Sequence, residues 1–519
     1  MAELFLDDKI VSKAREAALQ IAKDVAIEIN SKTTIAVERA VLRLLGIEGE
    51  TSDGVPWVNA ITDKMLAQKI LDKGAAYWLV NASIMTERSL QEVAEDVIFG
   101  KLDLTKVPKS NQQQLNKRME LLAKEGLEKI TTAKSQRAAL RAQLGKGEEP
   151  LKYVIVATGN IYEDVVQAKA AVRQGADIIA VIRHTAQSLL DYVPSGTETE
   201  GVGGTLATKE NFQVMRQALD KAGREAGRYI YLTNYCSGLC MPEMAVLGAI
   251  EGLDIMLNDS MYGVIFRDIN MVRTFIDQHF SRAILGFADV SINTGEDNYL
   301  TTADAYDKAH TVTASQFINE QFAILSGMAP EQIGLGHAFE ISPGLADSFL
   351  YELAQAQMVR QLFPKSPVKY MPPTKYMTGN IFQGNVQNAL FNAVSVMTKQ
   401  SVHLLGMPTE AIHTPHLQDR YLSITNANYV FRALKHLGDE IEFSAGGLIQ
   451  KRAAEVLANA LDMLEEVAKM GLMTAISRGM FADIARQVDG GKGLEGVVEK
   501  ADDYLNPFEN MLKEKGGKG

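Results

Sequence analysis

The sequence predicts an α/β protein built on a TIM-type β/α barrel of eight strands, extended by helices at both ends. Three observations predict it. From Lys152 onward, short β-branched runs alternate with amphipathic helical segments, and eight such units fit into roughly 280 residues, the count of a closed barrel. The chain before residue 150 has helical periodicity without strand alternation, and after Leu437 it returns to helix. A length of 519 residues with 46% hydrophobic composition is ample for one barrel and flanking helical regions. A doubly wound sheet shares the alternation, and repetition alone does not separate the two.

In the first region, 1–150, apolar residues recur at helical spacing over 10–29 (Val11, Ala14, Ala17, Ile21, Val25). Ser31 and Thr33 can cap a helix over 34–45, and 90–99 is again helical. Segment 111–144, rich in Gln, Lys, Arg, Glu and Leu, predicts a long solvated helix ended by Gly145-Lys-Gly-Glu-Glu-Pro150. The barrel region, 151–437, offers strands at 153–157, 178–182, 229–233, 255–257 and 284–287, with weaker ones at 333–337, 368–371 and 411–413. Helices at 211–226, 267–280, 303–325, 345–362 and 386–404 separate them. In the last region, 438–519, 447–472 is strongly amphipathic and 473–488 continues it. The Lys/Gly-rich end reads as a frayed tail.

A net charge of −11 lacks the basic face that a nucleic-acid groove needs. Two cysteines, Cys236 and Cys240, exclude a disulfide framework, and their spacing without a second ligand pair is not a zinc site; plain free thiols are expected. The opening residues MAELFLDDK carry acids where a secretory signal needs bases, and no apolar run reaches the roughly 20 residues of a membrane span. A cytoplasmic protein is expected.

Barrel enzymes work at the C-terminal ends of their strands, and the polar residues there are dense. The second strand ends in Arg183-His-Thr-Ala-Gln-Ser188, the third in Asn234-Tyr-Cys-Ser237, and the fourth in Asn258-Asp-Ser-Met-Tyr262-Gly with Arg267 a turn later. The fifth ends in Asp289, followed by Asn293-Thr-Gly-Glu-Asp297-Asn298, and the seventh carries Lys369 and then Lys375. Singly, each has an ordinary reading: a surface ion pair, Asn/Asp turn chemistry, or a hydrogen-bonded structural histidine at His337 or His413. Together, two arginines with a serine, a tyrosine in a glycine-flanked loop and a lysine opposite an aspartate suit a phosphorylated planar cofactor and a zwitterionic substrate. Gly201-Val-Gly-Gly204 lies outside a dinucleotide frame and reads as a mobile loop over the barrel mouth.

Three long strings carry a resemblance: Val181-Ile-Arg-His-Thr-Ala-Gln-Ser-Leu-Leu-Asp-Tyr-Val-Pro194, Thr233-Asn-Tyr-Cys-Ser-Gly-Leu-Cys-Met-Pro-Glu243 and Leu257-Asn-Asp-Ser-Met-Tyr-Gly-Val-Ile-Phe-Arg267. Through them the chain resembles the large subunits of the lysine 5,6-aminomutases, over essentially its whole length. The resemblance implies an isomerase of lysine fermentation, moving the terminal amino group of D-lysine or L-β-lysine from C6 to C5 by a radical path. It implies two cofactors, pyridoxal 5'-phosphate and adenosylcobalamin, whose chemistry the protein positions and shields. It also implies a smaller partner subunit supplying the cobalt-ligating histidine and the cofactor's resting lysine. The chain agrees with that division: its nearest approach to a cobalamin Asp-x-His-x-x-Gly motif, Asp277-Gln-His279-Phe-Ser-Arg282, lacks the glycine and lies in a predicted helix.

Carried over by resemblance, Arg183 and Ser188 hold the cofactor phosphate, with Arg267 adding positive charge. Tyr262 stacks on the ring and Ser237 meets the pyridine nitrogen. Asp297 and Lys369 bind substrate ammonium and carboxylate, with Asn298 beside them; His184 receives no role. Rival readings are an ornithine or other diamino-acid aminomutase, a non-catalytic barrel that docks a cobalamin subunit, and an aldolase-type barrel using Lys369 or Lys375.

Overall fold

The computed structural model describes residues 3–182, 185–301 and 303–516. Among them, nine strand segments form one parallel sheet. β1 (Leu151–Ile155), β2 (Ile178–Ile182), β3 (Tyr231–Tyr235), β4 (Ile255–Leu257) and β5 (Ser291–Asn293) lie side by side in chain order. β6 is made of two of the nine segments, Ile333–Gly334 and Gly336–Ala338, separated only by Leu335. Its first half pairs with β5 and its second with β7 (Lys369–Met371). β8 (Val402–Leu404) pairs with both β7 and β1. The sheet therefore closes on itself as an eight-stranded barrel.

Strand alternation divides the side chains between two layers. Leu151, Tyr153, Ile178, Ala180, Ile255 and Val402 fill the barrel interior. Their neighbours Val154, Ile179, Leu232, Met256 and Ile292 face outward into the large core under the helices. On β7, Tyr370 turns outward and donates to Glu352 of the helix Ser348–Leu362 (2.7 Å), so Lys369 turns inward.

The flanking regions wrap this barrel. Helix Asp8–Asn30 packs on Ala305–Leu325 and Leu448–Met470. Lys32–Thr34 and Val497–Glu499 pair as an antiparallel ribbon, joining the two ends of the chain. Asn111 caps the helix Gln112–Leu144, whose buried stripe runs Leu115, Met119, Leu122, Leu127 and Ile130. Near its end, Arg137 reaches Asp254 (3.3 Å) at the foot of β4. Among the described residues no helix is long and apolar enough to cross a membrane.

Two sequence-predicted strands are corrected. The fifth strand is not 284–287: those residues form the last turn of helix Met271–Phe287. Their apolar run is a buried helix face, and β5 itself is only Ser-Ile-Asn, too short and too polar to show alternation. The eighth strand is not 411–413, which lie in a turn. The helix expected over 386–404 ends at Met397; Lys399 adopts φ +51° and the apolar residues that follow become β8. The helix expected over 267–280 is two, Ser260–Arg267 and Met271–Phe287, broken where Asp268 takes φ +57°. β3 runs two residues later than expected, bringing Asn234 and Tyr235 into the strand. The helix expected to continue over 473–488 stops at Ser477.

Candidate functional site

The C-terminal ends of β3 and β4 build a platform. Ser237, fully buried just beyond β3, accepts a hydrogen bond from the backbone N–H of Asp259 (2.9 Å). That bond occupies an acceptor position, so the hydroxyl proton is directed elsewhere. Asp259 also caps the helix Ser260–Arg267 by accepting from Met261 N (3.0 Å). Burial pushes the Asp259 carboxyl up to about 6, against the pull of Arg282.

On that short helix the side chains of Tyr262 and Arg267 meet. Arg267 Nη2 donates to Tyr262 Oη (3.1 Å), and its guanidinium lies 5.5 Å from the tyrosine ring centre. Tyr235 meets the Tyr262 ring edge-on at 5.8 Å, and Phe266 supports it at 5.1 Å. Arg267 has no ion pair among the described residues, and its buried Nε lacks a hydrogen-bond partner. A guanidinium bonded to a neutral phenol and short of acceptors is suited to an anion.

Ser188, on the segment after β2, is buried against the loop after β3. Its carbonyl accepts from Leu239 N (3.0 Å). A Cβ on Gly238 would fall 2.4 Å from Ser188 Cα, so only glycine permits this approach. Arg183 and His184 lie outside the described residues.

The second part of the site lies inside the barrel. Asp297, beyond β5, and Lys369, on β7, form an ion pair at 3.3 Å. Burial pushes the Asp297 carboxyl up and Lys369 opposes it. Room for the aspartate comes from β6, where a Cβ on Gly336 would lie 2.2 Å from Asp297 Oδ1. Asn298 Nδ2 donates to Gly295 O (3.0 Å) and reaches Asp297 Oδ2 at 3.5 Å.

The remaining candidates separate from this site. His337 Nε2 is 2.9 Å from Glu352 and its ring stacks on Tyr370, a structural arrangement in the helix layer. His413 bonds Thr414 O (2.9 Å) and stacks on His416. Lys375 is exposed on the loop beyond β7. Its backbone N–H, with that of Thr374, donates to buried Glu340. Gly201 is docked by backbone on Gly159 at the end of β1 (2.8 Å). Asp277 and His279 lie on the helix Met271–Phe287, His279 beside Ser326 Oγ (2.9 Å). Cys236 and Cys240 are buried free thiols, and burial pushes Cys236 up to about 12.

Sequence reasoning missed Asp259, read there as turn chemistry. Its turn is the helix cap that seats Tyr262, and a polar residue at the end of a strand before a glycine-containing helix was the available signal. It also missed Tyr299, whose hydroxyl donates to Asp259 (3.2 Å), and Glu296, buried with both carboxylate oxygens lacking a hydrogen-bond partner. Burial and the neighbouring Asp259 push the Glu296 carboxyl well above its ordinary range.

Residues 4–511 match the family described as the D-lysine 5,6-aminomutase TIM-barrel domain of the alpha subunit. The chain is 57% identical over 514 residues to the lysine 5,6-aminomutase alpha subunit of Acetoanaerobium sticklandii, covering 99% of each chain. It is 55% identical over 509 residues to that of Fusobacterium nucleatum, covering 98% of each. The D-ornithine 4,5-aminomutase subunit beta of Acetoanaerobium sticklandii is 29% identical over 365 residues, 68% of this chain and 49% of that one.

Proposed function

The chain belongs to the lysine 5,6-aminomutase alpha-subunit family, and from that premise we propose that it is the catalytic subunit of a cytoplasmic, radical aminomutase acting on D-lysine or L-β-lysine. The amino group moves from C6 to C5, with pyridoxal phosphate held in this barrel and adenosylcobalamin held mainly by a smaller partner subunit. Residues 151–437 carry the site, and 1–150 and 438–519 flank it as helical regions.

The observation that carries this reading is Arg267, a partly buried guanidinium bonded to the Tyr262 hydroxyl, with a buried Nε that has no acceptor. A phosphorylated aromatic ring meets both needs, since the phosphate answers the guanidinium and the ring answers the tyrosine face. The described residues fit pyridoxal phosphate: Ser188 and Arg267 for the phosphate, with Arg183 added by the resemblance, Tyr262 for the ring, and Ser237 for the pyridine nitrogen. Bound there, pyridoxal phosphate would carry the migrating nitrogen, while adenosylcobalamin supplies the radical that abstracts hydrogen.

This chain's own contribution is positioning and charge. Ser237 accepts from Asp259 N–H and so presents its proton as a donor, leaving a ring nitrogen unprotonated. An aspartate at that position would hold the nitrogen protonated and favour two-electron chemistry. Asp297 and Lys369 take the substrate's ammonium and carboxylate by exchanging their contact with each other for contacts with the substrate, and Asn298 steadies the aspartate. Both act away from the reacting carbon, so their binding energy serves orientation. Closure of the mouth by the partner would exclude water.

The test is reconstitution. The purified chain with both cofactors is expected to leave D-lysine and L-β-lysine unchanged, and turnover is expected once the small cobalamin-binding subunit is added. Robust turnover by the chain alone overturns the two-subunit reading. A complex that prefers D-ornithine overturns the substrate, and one that binds no pyridoxal phosphate turns the barrel into a docking scaffold.

A further inference from the structure

Resting on the reading that Ser188 and Ser237 grip one cofactor, we infer that Arg273 is a positioning residue, locking the loop after β2 to the loop after β3 at a fixed spacing. Arg273 lies on the helix Met271–Phe287, outside the barrel, and is 0% exposed. Its Nη2 donates to Asp191 Oδ1 at 2.6 Å and to the Leu239 carbonyl at 3.0 Å. Asp191 follows Ser188 by three positions, and Leu239 follows Ser237 by two. One nitrogen thus holds the two segments that carry the two serines.

The rest of the surroundings is built for that guanidinium. Nη1 donates to the Gly493 carbonyl (3.2 Å), and Nε faces Asp277 at 3.5 Å. A Cβ on Gly493 or Gly496 would come within 2.6 or 2.7 Å of Nη1, so glycines in the C-terminal region leave the space it fills. From the other side, Arg39 of the N-terminal region donates to the Asp191 carboxylate (2.8 Å) and carbonyl (2.7 Å). Asn59 Nδ2 is a second donor to that carbonyl (2.8 Å). Asp191 is therefore clamped between two buried guanidiniums, and both ends of the chain converge on the loop that carries Ser188.

A buried ion pair is poor value as a stabiliser, since apolar packing serves as well. What apolar packing cannot supply is direction. A rigid ligand gripped at its phosphate and at its ring nitrogen needs the two grips held to within about 0.5 Å. Nη2 bonds both loops while Nη1 and Nε fix the plane of the fork against Gly493 and Asp277, an orientation that the single ammonium of a lysine does not keep.

The experiment uses the assembled complex with Arg273→Lys and, as a shape-preserving second variant, Asp191→Asn. Hydrogen exchange of peptides covering 185–191 and 237–241 reads the coupling without any cofactor. Both segments are expected to exchange faster together, while those covering β1 and β8 hold. Titration with pyridoxal phosphate, followed by absorbance, is expected to show affinity weakened on the order of tenfold, a larger change than in the KM for lysine. Loosening of one loop alone, or of neither, overturns the coupling. Loosening of both with cofactor affinity unchanged overturns the positioning role. A wild-type complex that binds no cofactor defeats the functional reading instead, and the exchange data then still decide the coupling.

Discussion

Lys369 Nζ lies 3.3 Å from Asp297 Oδ1, and the two residues are 2% and 1% exposed. They come from β7 and from the loop after β5, with β6 between them thinned to glycine at 334 and 336. Neither side chain reaches solvent, so each depends on the other as its partner, a contact that under the proposed function a ligand with its own ammonium and carboxylate would replace. The short loop after β5 thereby acquires a counter-charge two strands away.

Lys369→Ala in the assembled complex is expected to lower kcat/KM for lysine by about one to two decades, equivalent to about 1.5–3 kcal/mol for one charge-assisted contact. Cofactor affinity should hold, because the phosphate is assigned to Arg183, Ser188 and Arg267. Steady-state rates and absorbance spectra of the same variant separate two ideas. Unchanged efficiency sinks the clamp, and loss of the resting cofactor band with the partner's lysine intact makes Lys369 the cofactor's own lysine.

Tyr262→Phe keeps the ring and loses the hydroxyl that accepts from Arg267. Most cofactor affinity should survive, whereas Tyr262→Ala should lose on the order of 1 kcal/mol or more of ring contact. Equal affinities for wild type and both variants in a cofactor titration would mean that no ring sits over this tyrosine.

Much of this architecture was legible because long helical periods are local signals: the helix Gln112–Leu144 follows from the sequence directly, within one residue at its start. β5 and β8 were not legible, because a three-residue strand carries no period and its position is set by its neighbours in the ring. The platform residues Ser237, Tyr262 and Arg267 and the pair Asp297 and Lys369 stood out as polar groups at strand ends. Arg273 and Asp191 did not, since nothing in a helix or loop sequence shows that a guanidinium will meet two loops in space. Asp259 was visible, but its bond to Ser237 runs through backbone, which no side-chain pattern encodes.

Stability should fall as pH rises through the neutral range. Burial pushes Glu340 up to about 7, Asp277 to about 7 and Asp259 to about 6, each from an ordinary value near 4. Between those ordinary values and the folded ones, the native state holds protons that the unfolded chain has released, so the slope of stability against pH is negative there. For Glu340, faced by Lys375 and by Thr374 of the same loop, the contribution lost by pH 8 is on the order of 1–3 kcal/mol. Denaturant midpoints from pH 5 to 8 check the sign, and a midpoint that climbs steadily across that range contradicts it.

The last prediction concerns Gly336, whose place is set by space and not by backbone strain. A Cβ there would lie 2.2 Å from Asp297 Oδ1 and 2.9 Å from the Thr294 carbonyl. Gly336→Ala must therefore displace the carboxylate from Lys369 or push β6 away from the loop after β5, an overpacking cost of about 1–3 kcal/mol. If the aspartate yields, catalytic efficiency should drop to a degree similar to Lys369→Ala. The double variant should then lose less than the sum of the two, because both act through Asp297. Gly344→Ala is the control: its nearest neighbour, Ser342 Oγ, would be 3.6 Å away, an ordinary contact, and its kinetics should match the wild type. Strictly additive losses in the double-mutant cycle would show that Gly336 and Lys369 act separately, and the clamp would then have to be assigned to other residues.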